Sequence, residues 1–120
     1  MTEQSRFQSF AEFYPFYLRE HSHPVCRGLH YAGSSLGVVI VVIAIVSAQY
    51  LLIVAALVVG YACAWVGHFF FEHNRPATFK YPLWSFMGDW VMLTHFLTGR
   101  LRHVHPVLAA GTSEDSCSRD

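Results

Sequence analysis

Charge is what this 120-residue chain has least of. Asp, Glu, Lys and Arg make up 13% of it, where a soluble domain carries about 25%. Its eight acidic and eight basic side chains cancel. No basic run stands out, so the electrostatic footprint of a nucleic-acid binder is absent. Cysteine is sparse as well. Cys26, Cys63 and Cys117 are scattered without C-x-x-C spacing, which points away from a disulfide framework and from a zinc motif. Residues 1–20 are polar and aromatic with no apolar h-region, so no cleavable signal peptide is expected there. Internal repeats are also missing.

The shortage of charge is concentrated in one place. From Gly28 to Phe71, forty-four residues, there is no Asp, Glu, Lys or Arg. As one helix that window would reach about 66 Å, roughly twice the hydrocarbon thickness of a bilayer. Two antiparallel spans fit instead, over roughly 24–47 and 50–72, reversing at Ser47-Ala48-Gln49-Tyr50. The competing reading is a hairpin buried in a soluble protein. However, "LGVVIVVIAIVSA" and "LLIVAALVVGYACAW" are apolar on every face, which a surface helix of a small domain does not tolerate. The chain therefore reads as an integral membrane protein of a bacterial inner membrane or its equivalent. Arg6, Arg19 and Arg27 precede the hairpin, Arg75, Lys80, Arg100 and Arg102 follow it, and the reversal has no basic residue. Both termini are expected on the cytoplasmic side. Cys26 and Cys117 would then face a reducing compartment.

The flanks read as amphipathic. Phe7, Phe10, Tyr14, Tyr17 and Leu18 recur at helical spacing within residues 4–21, with Pro15 as a kink or restart. That pattern predicts an interfacial helix along the headgroups. Residues 82–98 open on Pro82, suited to a first helical turn, and predict a re-entrant helix or a short third span. The expected fold is all-α, a single membrane domain over 1–108 with a disordered polar tail over 109–120.

Ionisable groups inside a bilayer are costly and usually mark function. His30 lies three residues past Arg27 and His68 four before Glu72, so both come out about one turn inside the cytoplasmic boundary. His30, Gly33 and Gly37 share one helical face, and Gly60, Ala64, His68 and Glu72 share another. Small-residue stripes let membrane helices approach closely. If these two meet, His30 and His68 face each other. His21 and His23 lie at the mouth, in "REHSHP", and His73 follows Glu72. Imidazoles with one carboxylate and open positions suit non-haem iron(II). Glu72 would be that carboxylate, or would orient His68 through its other ring nitrogen. The bland alternative for each histidine is an interfacial, hydrogen-bonded residue. His95 is ambiguous, and His103 and His105 read as a headgroup-facing stretch among arginines. Asn74, Arg75 and Lys80 are candidates for holding an acidic substrate head, although Arg75 and Lys80 would serve lipid phosphate equally well. Trp65, Trp84 and Trp90 read as lipid contacts and interface anchors.

The stretch "FYPFYLREHSHPVCRGLHYAG" (13–33) followed by "WVGHFFFEHNRPATFKYPLWSFMGDWVM" (65–92) resembles the Mpo1-like family of small membrane proteins. The likeness covers about residues 5–100. It implies an iron(II)-dependent dioxygenase that uses molecular oxygen to convert a long-chain 2-hydroxy fatty acid to the acid one carbon shorter. The family pattern falls on His21, His30, His68 and Glu72, with Arg75-Pro76-Ala77 following. The resulting expectation is a metal set of His21, His30, His68, Glu72 and His73, with His23 and His95 in reserve. Glu72 and Arg75 would be catalytic. Two other classes remain open on the residues alone: a bis-histidine haem protein using His30 and His68, and a non-catalytic lipid-binding module.

Overall fold

The computed structural model describes residues 7–109. The polar tail lies, beyond Ala109, outside the described residues. The described residues are helical with no strand: α1 Phe10–Arg19, α2 Pro24–Val46, α3 Leu52–Val66, α4 Pro82–Leu97 and α5 Leu101–Val104, with further helical residues at 106–109. The chain groups into two compact units, one from Met1–Glu20 with Ala77–Asp120, the other His21–Pro76.

The His21–Pro76 unit is a helical hairpin. His23 caps α2, its Nδ1 accepting from the Val25 N–H at 3.1 Å, and Pro24 takes the first turn. Helix α2 runs to Val46 and closes in a Schellman motif. Ala48 adopts φ 56°, and the Gln49 N–H reaches the Ala44 carbonyl at 2.9 Å. An alanine in this left-handed conformation costs about 1–2 kcal/mol relative to glycine, so the reversal is held by its surroundings. Helix α3 then returns and continues directly into a π-helical turn, Gly67–Glu72. Both expected spans are present within about two residues of their expected ends.

The two helices touch where the small residues predict. A Cβ on Gly33 would meet the Cys63 Cβ at 3.0 Å and the Gly60 carbonyl oxygen at 3.2 Å. One on Gly67 would meet the Cys26 Sγ at 2.9 Å. The outward faces carry Val38, Val42, Ile45, Val54 and Val58, all exposed, and only 17% of each apolar window is buried. A hairpin forming the core of a soluble protein would be mostly buried. Both α2 and the Leu52–Glu72 helix are long and apolar enough to cross a bilayer. The architecture is that of a small all-α membrane protein.

In the other unit α1 begins at a capping arrangement. The Ser9 Oγ accepts from the Glu12 N–H, and the Glu12 Oε2 accepts from the Gln8 N–H. Pro15 sits inside α1 without ending it. Phe13 and Tyr17 are buried. Phe13 stacks near Tyr81 and Trp84, with centroids 5.3 and 5.7 Å apart, and Tyr17 lies on Gly88. The aromatic stripe expected on headgroups therefore meets α4. Helix α4 is sixteen residues long, shorter than either candidate span. The Tyr17 hydroxyl donates to the Asp89 carboxylate, and the Tyr14 hydroxyl pairs with His95 Nδ1 at 2.7 Å. Burial pushes the Asp89 carboxyl up to about 7, against the lowering effect of the Tyr17 bond. His105 corrects its expected headgroup-facing position. It is fully buried (0% exposed), while His103 is exposed. The residue before a proline is held extended, and at φ −73°, ψ 121° His105 turns away from the helical face of its arginine neighbours to accept the Val107 N–H.

Candidate metal centre

Three imidazoles meet inside the His21–Pro76 unit. The His21 Nε2 lies 3.0 Å from His30 Nε2 and 3.1 Å from His68 Nε2. The three rings stand nearly perpendicular, with centroids 4.4–5.0 Å apart. All three residues are buried. With the Cys26 Sγ they form a group of four ligand atoms within 4.8 Å of one another. The facing stripes of α2 and the π-helical turn thus do bring His30 and His68 together, and the "HSHP" turn delivers His21 to them.

Each ring is oriented by its own neighbours. The His30 Nδ1 donates to the Cys26 carbonyl at 2.9 Å, the helical residue one turn back. The His68 Nδ1 donates to Asn74 Oδ1 at 2.7 Å. Both rings therefore present Nε2 lone pairs inward when neutral. The His21 Nε2 carries at most one hydrogen, so it can donate to only one of them, and at least one pair meets lone pair to lone pair. Buried acceptors facing each other without enough protons are what a cation relieves. The donor set fits a metal ion.

The π-helical turn explains Asn74. In an α-helix a residue six positions on faces away. Here His73 takes φ 59° after the π turn, the His68 carbonyl accepts the His73 and Asn74 N–H groups, and the Asn74 side chain folds back onto the same ring. π-Turns within α-helices are frequent at functional sites. The His21 turn is fixed from both sides. Arg27 Nη1 donates to the His21 and Ser22 carbonyls at 2.8 and 2.7 Å, and the Glu72 carboxylate accepts the His23 N–H.

The structure brings together His21, His30 and His68 from the expected ligand list and places its other members elsewhere. Glu72 lies outside the group of four, and its carboxylate accepts from the backbone of the "HSHP" turn. Asn74, expected on substrate, holds His68. His73 is the exposed left-handed residue that ends the turn. His23 caps α2, and its ring faces Phe71. His95 belongs to the other unit and pairs with Tyr14. Arg75 is exposed, and Lys80, also exposed, lies in the other unit. Cys26 was passed over because cysteine spacing was judged against other cysteines. The usable signal was Cys26–His30 at i, i+4, which shares a helical face.

A model of the Mpo1-like family, described as 2-hydroxy-palmitic acid dioxygenase Mpo1-like, matches residues 7–101. The chain belongs to the Mpo1-like family. The match takes in all three clustered histidines, Cys26 and the His68–Asn74 clasp. No curated protein and no solved structure matches the chain. The family description suggests a dioxygenase, and the buried His/Cys group is able to bind a metal ion.

Proposed function

We propose that this Mpo1-like protein is a non-haem iron(II) dioxygenase of long-chain 2-hydroxy fatty acids, acting as one membrane domain over residues 1–108. The observation that carries the reading is the convergence of the His21, His30 and His68 Nε2 atoms in a buried pocket at one end of an apolar hairpin. The family description supplies the substrate class. Three imidazoles would hold iron(II), which supplies the redox chemistry that activates oxygen. The reaction balances without a further reductant: R–CH(OH)–COOH + O2 gives R–COOH + CO2 + H2O, with cleavage of the C1–C2 bond.

The protein's own contribution is positional. Asn74 and the Cys26 carbonyl keep the Nδ1 hydrogens of His68 and His30 outward, so that both Nε2 lone pairs stay available. Arg27 and Glu72 hold the turn that carries His21. We assign Arg75, next after Asn74, to the substrate carboxylate through charge-assisted hydrogen bonds, with the acyl chain along the apolar faces of α2 and α3. In this reading both termini lie on the cytoplasmic side, which the basic residues flanking the hairpin favour. A haem sandwiched by His30 and His68 is disfavoured. Axial imidazoles lie on opposite faces of a macrocycle, whereas these rings are 5.0 Å apart with a third ring against both.

Purified, iron-loaded protein given 2-hydroxypalmitate under labelled oxygen should release the acid one carbon shorter, with label incorporated. Arg75→Ala should raise KM severalfold and leave iron content unchanged. Absence of shortened product at full iron occupancy would reject the dioxygenase reading and favour a lipid-binding module.

A further inference from the structure

Cys26 is the fourth member of the buried group, and the histidine chemistry does not account for its side chain. It precedes His30 by one helical turn, so its side chain leaves α2 on the same face. The Sγ lies within 4.8 Å of one ring nitrogen of each of the three histidines and is in hydrogen-bond contact with His30 Nδ1 at 3.7 Å. It is also fixed in place from behind. Gly67, where the π turn starts, approaches so closely that a Cβ there would sit 2.9 Å from the sulfur and 3.1 Å from the Cys26 Cα. Cys63, the other cysteine among the described residues, lies next to Gly33 and outside the group.

Resting on the metal-centre reading above, we infer that Cys26 Sγ is a fourth donor, so that the substrate-free centre is a three-imidazole, one-thiolate set. Metal–nitrogen bonds of about 2.0–2.1 Å and a metal–sulfur bond of about 2.3 Å give tetrahedral edges of roughly 3.4 Å. The observed nitrogen separations of 3.0 and 3.1 Å lie a few tenths below that, and the 4.8 Å limit on the group leaves the sulfur at most about 1.4 Å to travel. The thiol proton leaves to solvent as the metal–sulfur bond forms. Four protein donors complete a tetrahedral zinc site, whereas iron(II), with its higher coordination number, would keep positions open for substrate and oxygen. A thiolate also shifts preference towards thiophilic ions. The same pocket is thus expected to hold zinc through four donors.

The test is zinc-edge X-ray absorption on the full-length detergent-solubilised protein loaded with one equivalent of zinc. One sulfur neighbour at about 2.3 Å beside nitrogens at about 2.0–2.1 Å is expected. It should persist in Cys63→Ser and vanish in Cys26→Ser, which should still bind zinc about tenfold or more weakly. A wild-type spectrum with nitrogen and oxygen neighbours alone would overturn the Cys26 assignment and leave the three-imidazole centre standing. A sulfur shell that disappears in Cys63→Ser and not in Cys26→Ser would overturn it as well. Failure of the wild type to bind zinc or iron at all would remove both readings. If Cys26→Ser fails to fold, the wild-type and Cys63→Ser spectra decide.

Discussion

The two compact units both bury polar groups, and they do so in opposite ways. In the unit of α1, α4 and α5, the Tyr14 and Tyr17 hydroxyls each meet a polar side chain of α4, although the buried Ser85 Oγ has no hydrogen-bond partner among the described residues. The Tyr17 hydroxyl meets a carboxylate and the Tyr14 hydroxyl meets an imidazole nitrogen. In the hairpin unit, three Nε2 atoms face one another with fewer hydrogens than lone pairs. A completed network holds a fold together, whereas an incomplete one calls for a ligand. Buried histidine occurs in both units, but only the hairpin unit gathers three of them.

The sharpest way to break that contrast is to remove one face of the cluster. His68→Ala should abolish metal binding and lower turnover at least a hundredfold, while exposed His103→Ala should change neither. Metal analysis beside turnover measures both. If His103→Ala lost the metal and His68→Ala kept it, the roles of the two units would be reversed.

Next in size is Asn74→Ala. The His68 ring would lose its outward acceptor, and such orienting partners are worth about 10–100-fold in metal affinity. Asn74→Asp, which retains an acceptor oxygen, should restore most of it. Equal losses from both variants in a metal titration would mean that Asn74 only completes the turn.

The smallest effect should come from the unit of α1, α4 and α5. The Asp89 carboxyl sits near 7 in the folded protein against an ordinary value of 3.8. The folded state therefore binds this proton more tightly than the unfolded chain does. The associated stability is present at acid pH and is lost as pH rises from about 4 through 7. Asp89→Asn should flatten that dependence, leaving melting temperatures at pH 5 and pH 8 closer together than in the wild type. Iron content should not change.

The spans were legible because a charge-free window of this length has only one comfortable solvent. His30 and His68 were legible because α-helical periodicity carries them onto the stripes of Gly33 and Gly60. Periodicity then misleads where the helix stops being α. The π turn and the left-handed His73 bring Asn74 back to His68 and direct Glu72 to the His23 backbone, and neither geometry has a composition signal. Ala48 gave no sign of a Schellman turn, because glycine is the usual marker of that position. His105 was misread through its arginine neighbours, although burial is decided residue by residue. The grouping of Met1–Glu20 with Ala77–Asp120 joins segments far apart in sequence, which local patterns do not report.

The clasp on His68 also makes chain length a functional quantity. Asn74 is tied to His68 twice, through its own N–H and through its side chain, so the five intervening residues act as a ruler. Deleting one of Phe69, Phe70 or Phe71 would keep every histidine in the chain and leave the span apolar and only one residue shorter. It would still rotate Asn74 off the ring and shift the Glu72 tether. Two chains of this family could thus carry identical donor residues and differ in metal affinity through a single-residue change in spacing.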